Sequence, residues 1–141
     1  MKAFCDGACR VSNPGECAVS FAVFDGDVEV AHGSRYLGPE LHTNNFSEFT
    51  ALLDLLKWAE DNKVRRLSIY CDSQLVTKTI SGEWKVKHEE LKPLHALAYA
   101  LLVRGEHTLE WVRGHSGNPG NERVDFYCNE VLDEKLGTNK N

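Results

Sequence analysis

The sequence predicts a mixed α/β fold, a five-stranded mixed sheet built in the order βββαβααβα with helices on its faces. Three observations lead there. Two β-rich runs, CAVSFAVFD (17–25) and DVEVAHGSRYL (27–37), flank Asp25-Gly26, a hairpin dipeptide. From Thr43 onward Phe46, Phe49, Leu52, Leu53, Leu56 and Ala59 recur at spacings of three and four, as on one face of an amphipathic helix. Short strand-like runs then alternate with helical patterns, which implies crossovers that bring strands back into the same sheet.

The elements follow in order. Residues 2–6 (KAFCD) form a short first strand, which with the hairpin makes three antiparallel strands. Thr43 or Asn44 caps the first helix, which ends near Asn62. Residues 66–71 (RLSIYC) read as a buried strand, and 75–81 (LVTKTIS) as a short helix closed by Gly82. Pro93 suits the first turn of the next helix, which runs to about Arg104 with Leu94, Leu97, Leu101 and Leu102 inward. HTLEWV (107–112) is a fifth strand, GHSGNPGN a loop, and 121–136 the last helix. No linker, repeat or low-complexity tract divides the chain, so residues 1–141 are expected to be one domain, with a core of about 2–135 and a short polar tail.

Composition narrows the function classes. At 42% hydrophobic and 26% charged residues, disorder and collagen-like repeats are excluded. No run approaches the roughly 18 apolar residues of a spanning helix. Asp6 interrupts the start before a signal-peptide core can form, so a cytoplasmic protein with no membrane partner is expected. Five cysteines without a CxxC pair suggest neither a disulfide framework nor a zinc site, and they read as reduced, mostly buried thiols. A net charge of −5 argues against nucleic-acid binding by bulk electrostatics alone.

Four acids stand where a core residue or a cap would be cheaper. Asp6 follows KAFC at or near the end of the first strand, and Asp72 follows RLSIYC; Glu48 lies in the first turns of the first helix, and Asp125 at the start of the last. Singly, each has an ordinary use as a turn, cap or solvated acid. Far apart in the chain, they meet only through the fold, and four carboxylates in one small site raise one another's pKa. A divalent cation resolves that repulsion. Mg²⁺ or Mn²⁺ prefers oxygen ligands, and two such ions about 3.5–4 Å apart suit phosphodiester hydrolysis.

FCDGAC followed by NPG, TNNFSE at the helix start, IYCDSQLV and WVRGHSGNPGNERVD occur in that order across about residues 2–135. In these motifs the chain resembles ribonuclease H of type 1, enzymes that cleave the RNA strand of RNA/DNA hybrids. The resemblance implies the RNase H-like fold and a metal-dependent endoribonuclease that leaves 5′-phosphate and 3′-hydroxyl ends. By motif position Asp6, Glu48, Asp72 and Asp125 match the family's four metal-binding carboxylates, which hold two Mg²⁺ ions with substrate bound, Mn²⁺ being a substitute. His115 in GHSGN matches the catalytic-loop histidine. It lies among Gly114, Gly117 and Gly120, so it can move, and it can exchange a proton near neutral pH. Glu122 matches an acid near the metals, capping of the last helix being the alternative. His32, His42, His88, His95 and His107 read as surface or packing residues.

The expected partner is an RNA/DNA hybrid bound by a monomer. Asn13, Asn44, Asn45 and Gln74 are short amides of the kind that read 2′-hydroxyls and minor-groove edges. Thr43 matches a residue that holds a DNA-strand phosphate, a role indistinguishable in sequence from an N-cap. Trp84 either stacks along the DNA sugars or packs in the core, and Lys85, Lys87 and Arg113 are phosphate contacts or ordinary solvated cations. Where some relatives carry a basic helix-loop, only SGEWKVKHEELKP is present, and Lys85, Lys87 and Lys92 are balanced by Glu83, Glu89 and Glu90. Without that protrusion or a hybrid-binding domain, binding is expected to be weak and salt-sensitive. Two other classes compete: a DNA-cutting nuclease of the same fold, such as a junction resolvase, and a silent interaction module or detached part of a reverse transcriptase. The DSQ and GHSGNPGNE segments oppose the first, and the intact acids oppose the second.

Overall fold

Cys17–Val23 is buried residue after residue, which a strand tolerates only when both faces of its sheet are covered. In the computed structural model, which describes residues 1–137, that cover is present. The elements are β1 (Lys2–Arg10), β2 (Glu16–Asp25), β3 (Val28–Tyr36), α1 (Asn44–Asp61), β4 (Ser68–Cys71), α2 (Gln74–Ile80), α3 (Lys92–Gly105), β5 (Thr108–Trp111) and α4 (Pro119–Leu136), with a 3-10 turn at Glu89–Leu91. The sheet order is β3-β2-β1-β4-β5. β1, β2 and β3 pair antiparallel, while β4 pairs parallel to β1 and β5 parallel to β4. This is the expected mixed α/β sheet in the expected order.

Alternate residues of β1 serve the two layers. Ala3 and Cys5 join Val19, Phe21 and Val23 against α1, α2 and α3, where Phe49, Leu52, Leu56, Val76 and Leu101 complete the main core. Phe4 points to the other face and packs with Ala22 against Val124 and Tyr127 of α4. Each fully buried Leu or Phe contributes about 1.5–3 kcal/mol, so the main core anchors α1 firmly on β1. Thr43 caps α1, its Oγ1 accepting from the Phe46 N–H at 3.1 Å, and Gly82 follows α2 with φ +86°.

Leu97 of α3, expected inward, is 43% exposed, and three further expectations are corrected. β1 does not stop at Asp6: β2 pairs with it from Lys2↔Phe24 to Arg10↔Glu16, so Asp6 lies in mid-strand. What ends near Asp6 is the other neighbour, since β4 pairs with β1 only through Phe4↔Tyr70. The cysteines are not all reduced, because the same register sets Cys9 opposite Cys17 and the two form a disulfide, while Cys5, Cys71 and Cys128 are free and buried. The last helix starts at Pro119 and its cap is Asn118, whose side chain accepts from the Asn121 N–H at 3.1 Å, so Glu122 is not the cap. No helix among the described residues is long and apolar enough to cross a membrane. The expected polar tail lies partly outside the described residues.

Candidate active site

The parting of β1 from β4 builds the site. Asp6 and Asp72 each stand two residues past the last pair, Phe4↔Tyr70, so neighbouring parallel strands deliver two carboxylates side by side. Glu48 arrives from α1. A Cβ on Gly7 would lie 2.5 Å from the Ser47 carbonyl carbon, so only glycine lets α1 approach β1 this closely. The Gly7 N–H then donates to Glu48 Oε1 at 2.6 Å and orients that carboxylate. One oxygen from each of Asp6, Glu48 and Asp72 lies within 4.8 Å of the others.

The electrostatics follow from this crowding. Asp6 is 5% exposed. Burial raises its pKa well above the usual carboxylate range, and the charges of Asp72 and Asp125 push it further up. Burial likewise raises Glu48, followed by the charges of Asp6 and Asp72. Closely packed oxygens that resist joint ionisation are a hard donor set short of positive charge, and they fit Mg²⁺ or Mn²⁺. Asp125, half-buried near the start of α4, stands outside the group of three but close enough to act on Asp6.

The remaining candidates fall around these acids. His115 is exposed in the loop between β5 and α4, has φ +55°, and its ring makes no hydrogen bond among the described residues. Glu122 is exposed in the first turn of α4, and Arg113 and Lys85 are exposed. Asn13 Oδ1 accepts the Asn44 N–H at 3.0 Å, tying the first loop to the start of α1, where Asn45 is half-buried. Gln74 is exposed at the start of α2. Trp84 is 45% exposed, which removes its core alternative. It lines a groove of about 420 Å³ with Leu75, Lys85, Lys87, His88 and Leu91. Of the other histidines, His42 stacks on Phe46, the His32 ring lies tilted against Tyr127, His95 Nε2 lies 2.9 Å from the Thr79 carbonyl, and His88 is exposed.

Sequence reasoning missed Gly7, Trp111 and Gly114 as site residues. Gly7 and Gly114 each stand inside a motif already singled out, yet they act through a backbone N–H or the lack of a side chain. Trp111 donates its indole N–H to the Asp72 carbonyl at 3.1 Å.

Comparison with known proteins agrees with this geometry. A family model described as RNase H matches residues 1–132. The chain is 35% identical over 135 residues to Ribonuclease HI of Halobacterium salinarum, an alignment covering 95% of this chain and 65% of that protein. It is 33% identical over 150 residues to Ribonuclease H of Verminephrobacter eiseniae, covering 97% of this chain and 93% of that one. The crystal structure of RNase H1 from Halobacterium salinarum NRC-1 is similar with a TM-score of 0.82 at 34% identity, covering 94% of this chain and 97% of that one.

Proposed function

Because the chain belongs to the ribonuclease H family of phosphodiester-hydrolysing endonucleases, we propose that it cuts the RNA strand of RNA/DNA hybrids by a two-metal-ion mechanism, leaving 5′-phosphate and 3′-hydroxyl ends. The observation that carries this reading is the meeting of Asp6, Glu48 and Asp72 within 4.8 Å. Two Mg²⁺ ions, replaceable by Mn²⁺ and held by these acids and Asp125 once substrate is bound, would supply an activated water and stabilise the leaving 3′-oxygen. The protein's own groups do the rest. Asp6 and Asp72 fix the site on the rigid sheet, and Glu48 is held in register by Gly7. His115, on a glycine-flanked loop, takes or returns a proton near the scissile phosphate, and Glu122 serves as a further acid near the metals.

Substrate positioning falls to the rim. Thr43 spends an oxygen lone pair on its cap but keeps its O–H for a DNA-strand phosphate. Asn13 keeps its amide donors, and Asn44, Asn45 and Gln74 face 2′-hydroxyls and the minor groove. Trp84 stacks along the DNA sugars, with Lys85 and Arg113 on phosphates. The enzyme acts as a monomer in the cytoplasm.

The test is cleavage of one end-labelled duplex sequence prepared as RNA/DNA, DNA/DNA and RNA/RNA, with Mg²⁺, Mn²⁺ or EDTA. The expected result is cutting of the hybrid's RNA strand alone, with metal alone, and fragments ending in a 3′-hydroxyl. Cutting of DNA/DNA would favour the junction-resolving alternative, and no cutting in either metal would leave a binding module.

A further inference from the structure

Asp72 is the one acid of the group of three that follows the end of a short strand, and nothing in β4 itself restrains the peptide after it. The restraint comes from the segment that leaves β5. Cys71 pairs with Trp111, and the Val112 N–H donates to the Cys71 carbonyl at 2.9 Å. One residue further on, Trp111 Nε1–H donates to the Asp72 carbonyl at 3.1 Å. On the far side of that peptide, Ser73 is buried and caps α2, its Oγ accepting from the Val76 N–H at 3.2 Å. The main chain is thus held before, at and after Asp72.

The carboxylate is cornered as well. A Cβ on Gly114 would lie 2.7 Å from Asp72 Oδ2 and 3.4 Å from its Cγ. That is too close for any real contact, and the flexible end of Asp72 would be what moves. Trp111 itself is 40% exposed. Its ring is therefore not explained by core packing, and a hydrogen bond from an exposed indole to a main-chain carbonyl is a specific use of the N–H.

Resting on the proposed metal-dependent reaction, we infer that Trp111 and Gly114 are positioning residues for Asp72. The indole N–H fixes the peptide from which the side chain projects, and the bare Cα of Gly114 leaves the space Oδ2 occupies. Neither residue touches the reacting phosphate; both act through the geometry of one metal-holding carboxylate. Outer-shell groups of this kind typically alter metal affinity about 10- to 100-fold.

The experiment compares wild type, Trp111→Phe and Gly114→Ala. Phe keeps the ring and removes the N–H, and Ala adds the single carbon that meets Oδ2. Mn²⁺ binding is measured by calorimetry without substrate, alongside the thermal midpoint and kcat and KM for an RNA/DNA hybrid over a Mn²⁺ series. The expected result is a Mn²⁺ Kd raised about 10-fold in Trp111→Phe and about 10- to 100-fold in Gly114→Ala. Saturating Mn²⁺ should restore kcat of Trp111→Phe to within about twofold of wild type, with hybrid KM little changed. Kd values within twofold of wild type in both variants would overturn the inference, as would a kcat loss that saturating Mn²⁺ does not restore. Failure of wild type itself to bind Mn²⁺ or cut the hybrid would instead overturn the proposed function.

Discussion

Asp6, proposed to hold metal, shows what such a role costs the fold. It is buried beside Asp72 and near Asp125, and both charges and burial disfavour its ionised form. Asp6→Asn should therefore abolish cleavage and at the same time raise the unfolding midpoint in EDTA at pH 7, by roughly 4 °C for each kcal/mol of repulsion relieved. A midpoint at or below wild type would refute this account of the cluster. The acids were legible in the sequence because an Asp after an apolar strand, or a Glu between two Phe, is the wrong residue for packing. Gly7, Gly114 and Trp111 were not. A backbone N–H, a missing Cβ and an indole aimed at a carbonyl leave no chemical mark in a string of letters, and only the meeting of distant segments gives them meaning.

At the level of elements, two contacts that no local pattern announces hold strand ends together. The Leu67 N–H, just before β4, donates to His107 Nδ1, just before β5, at 3.0 Å. Burial lowers the His107 pKa below its usual 6.5, and Arg65 adds to the effect. Below pH 6.5 the unfolded chain therefore binds more protons than the folded one, so stability falls as pH drops through that window and is unaffected above it. In denaturant titrations from pH 5 to 8, the advantage of wild type over His107→Leu should shrink toward the acid end; a constant difference would contradict the neutral acceptor. Cys9–Cys17 closes the β1–β2 hairpin. Its reduction should cost about 2–3 kcal/mol for a loop of this length, and unfolded, unreduced protein should show three thiols by colorimetric titration, with five refuting the pairing. The elements themselves were legible from periodicity, including the Thr43 cap and the hairpin, whose turn falls at Gly26–Asp27, one residue later than Asp25-Gly26 suggests. Strand ends were not, because β1 is extended by its partner β2 rather than by its own residues, and the cysteine pairing depends on that same register.

As a whole molecule, the chain is acidic, at −5, yet is proposed to grip a polyanion. Exposed Lys85, Lys87 and Arg113 amount to a small cationic handle, so the hybrid affinity should be weak and fall with salt at a logarithmic slope of about −2 to −3. Measuring KM from 50 to 300 mM salt tests this, and a slope near −8 would demand a phosphate-binding surface beyond these residues. The layered order was legible throughout, because strands with both faces buried and helices with one apolar stripe have few ways to stack. The position of α4 carries a consequence in time. Among the described elements it is the helix that covers Phe4 and Ala22 and brings Asp125, and it follows all the others in the chain. Until α4 docks, residues 1–118 leave that side of the sheet bare, and Asp6, Glu48 and Asp72 stand without Asp125. Synthesis from the N-terminus therefore exposes the Phe4 and Ala22 face before its covering helix is made.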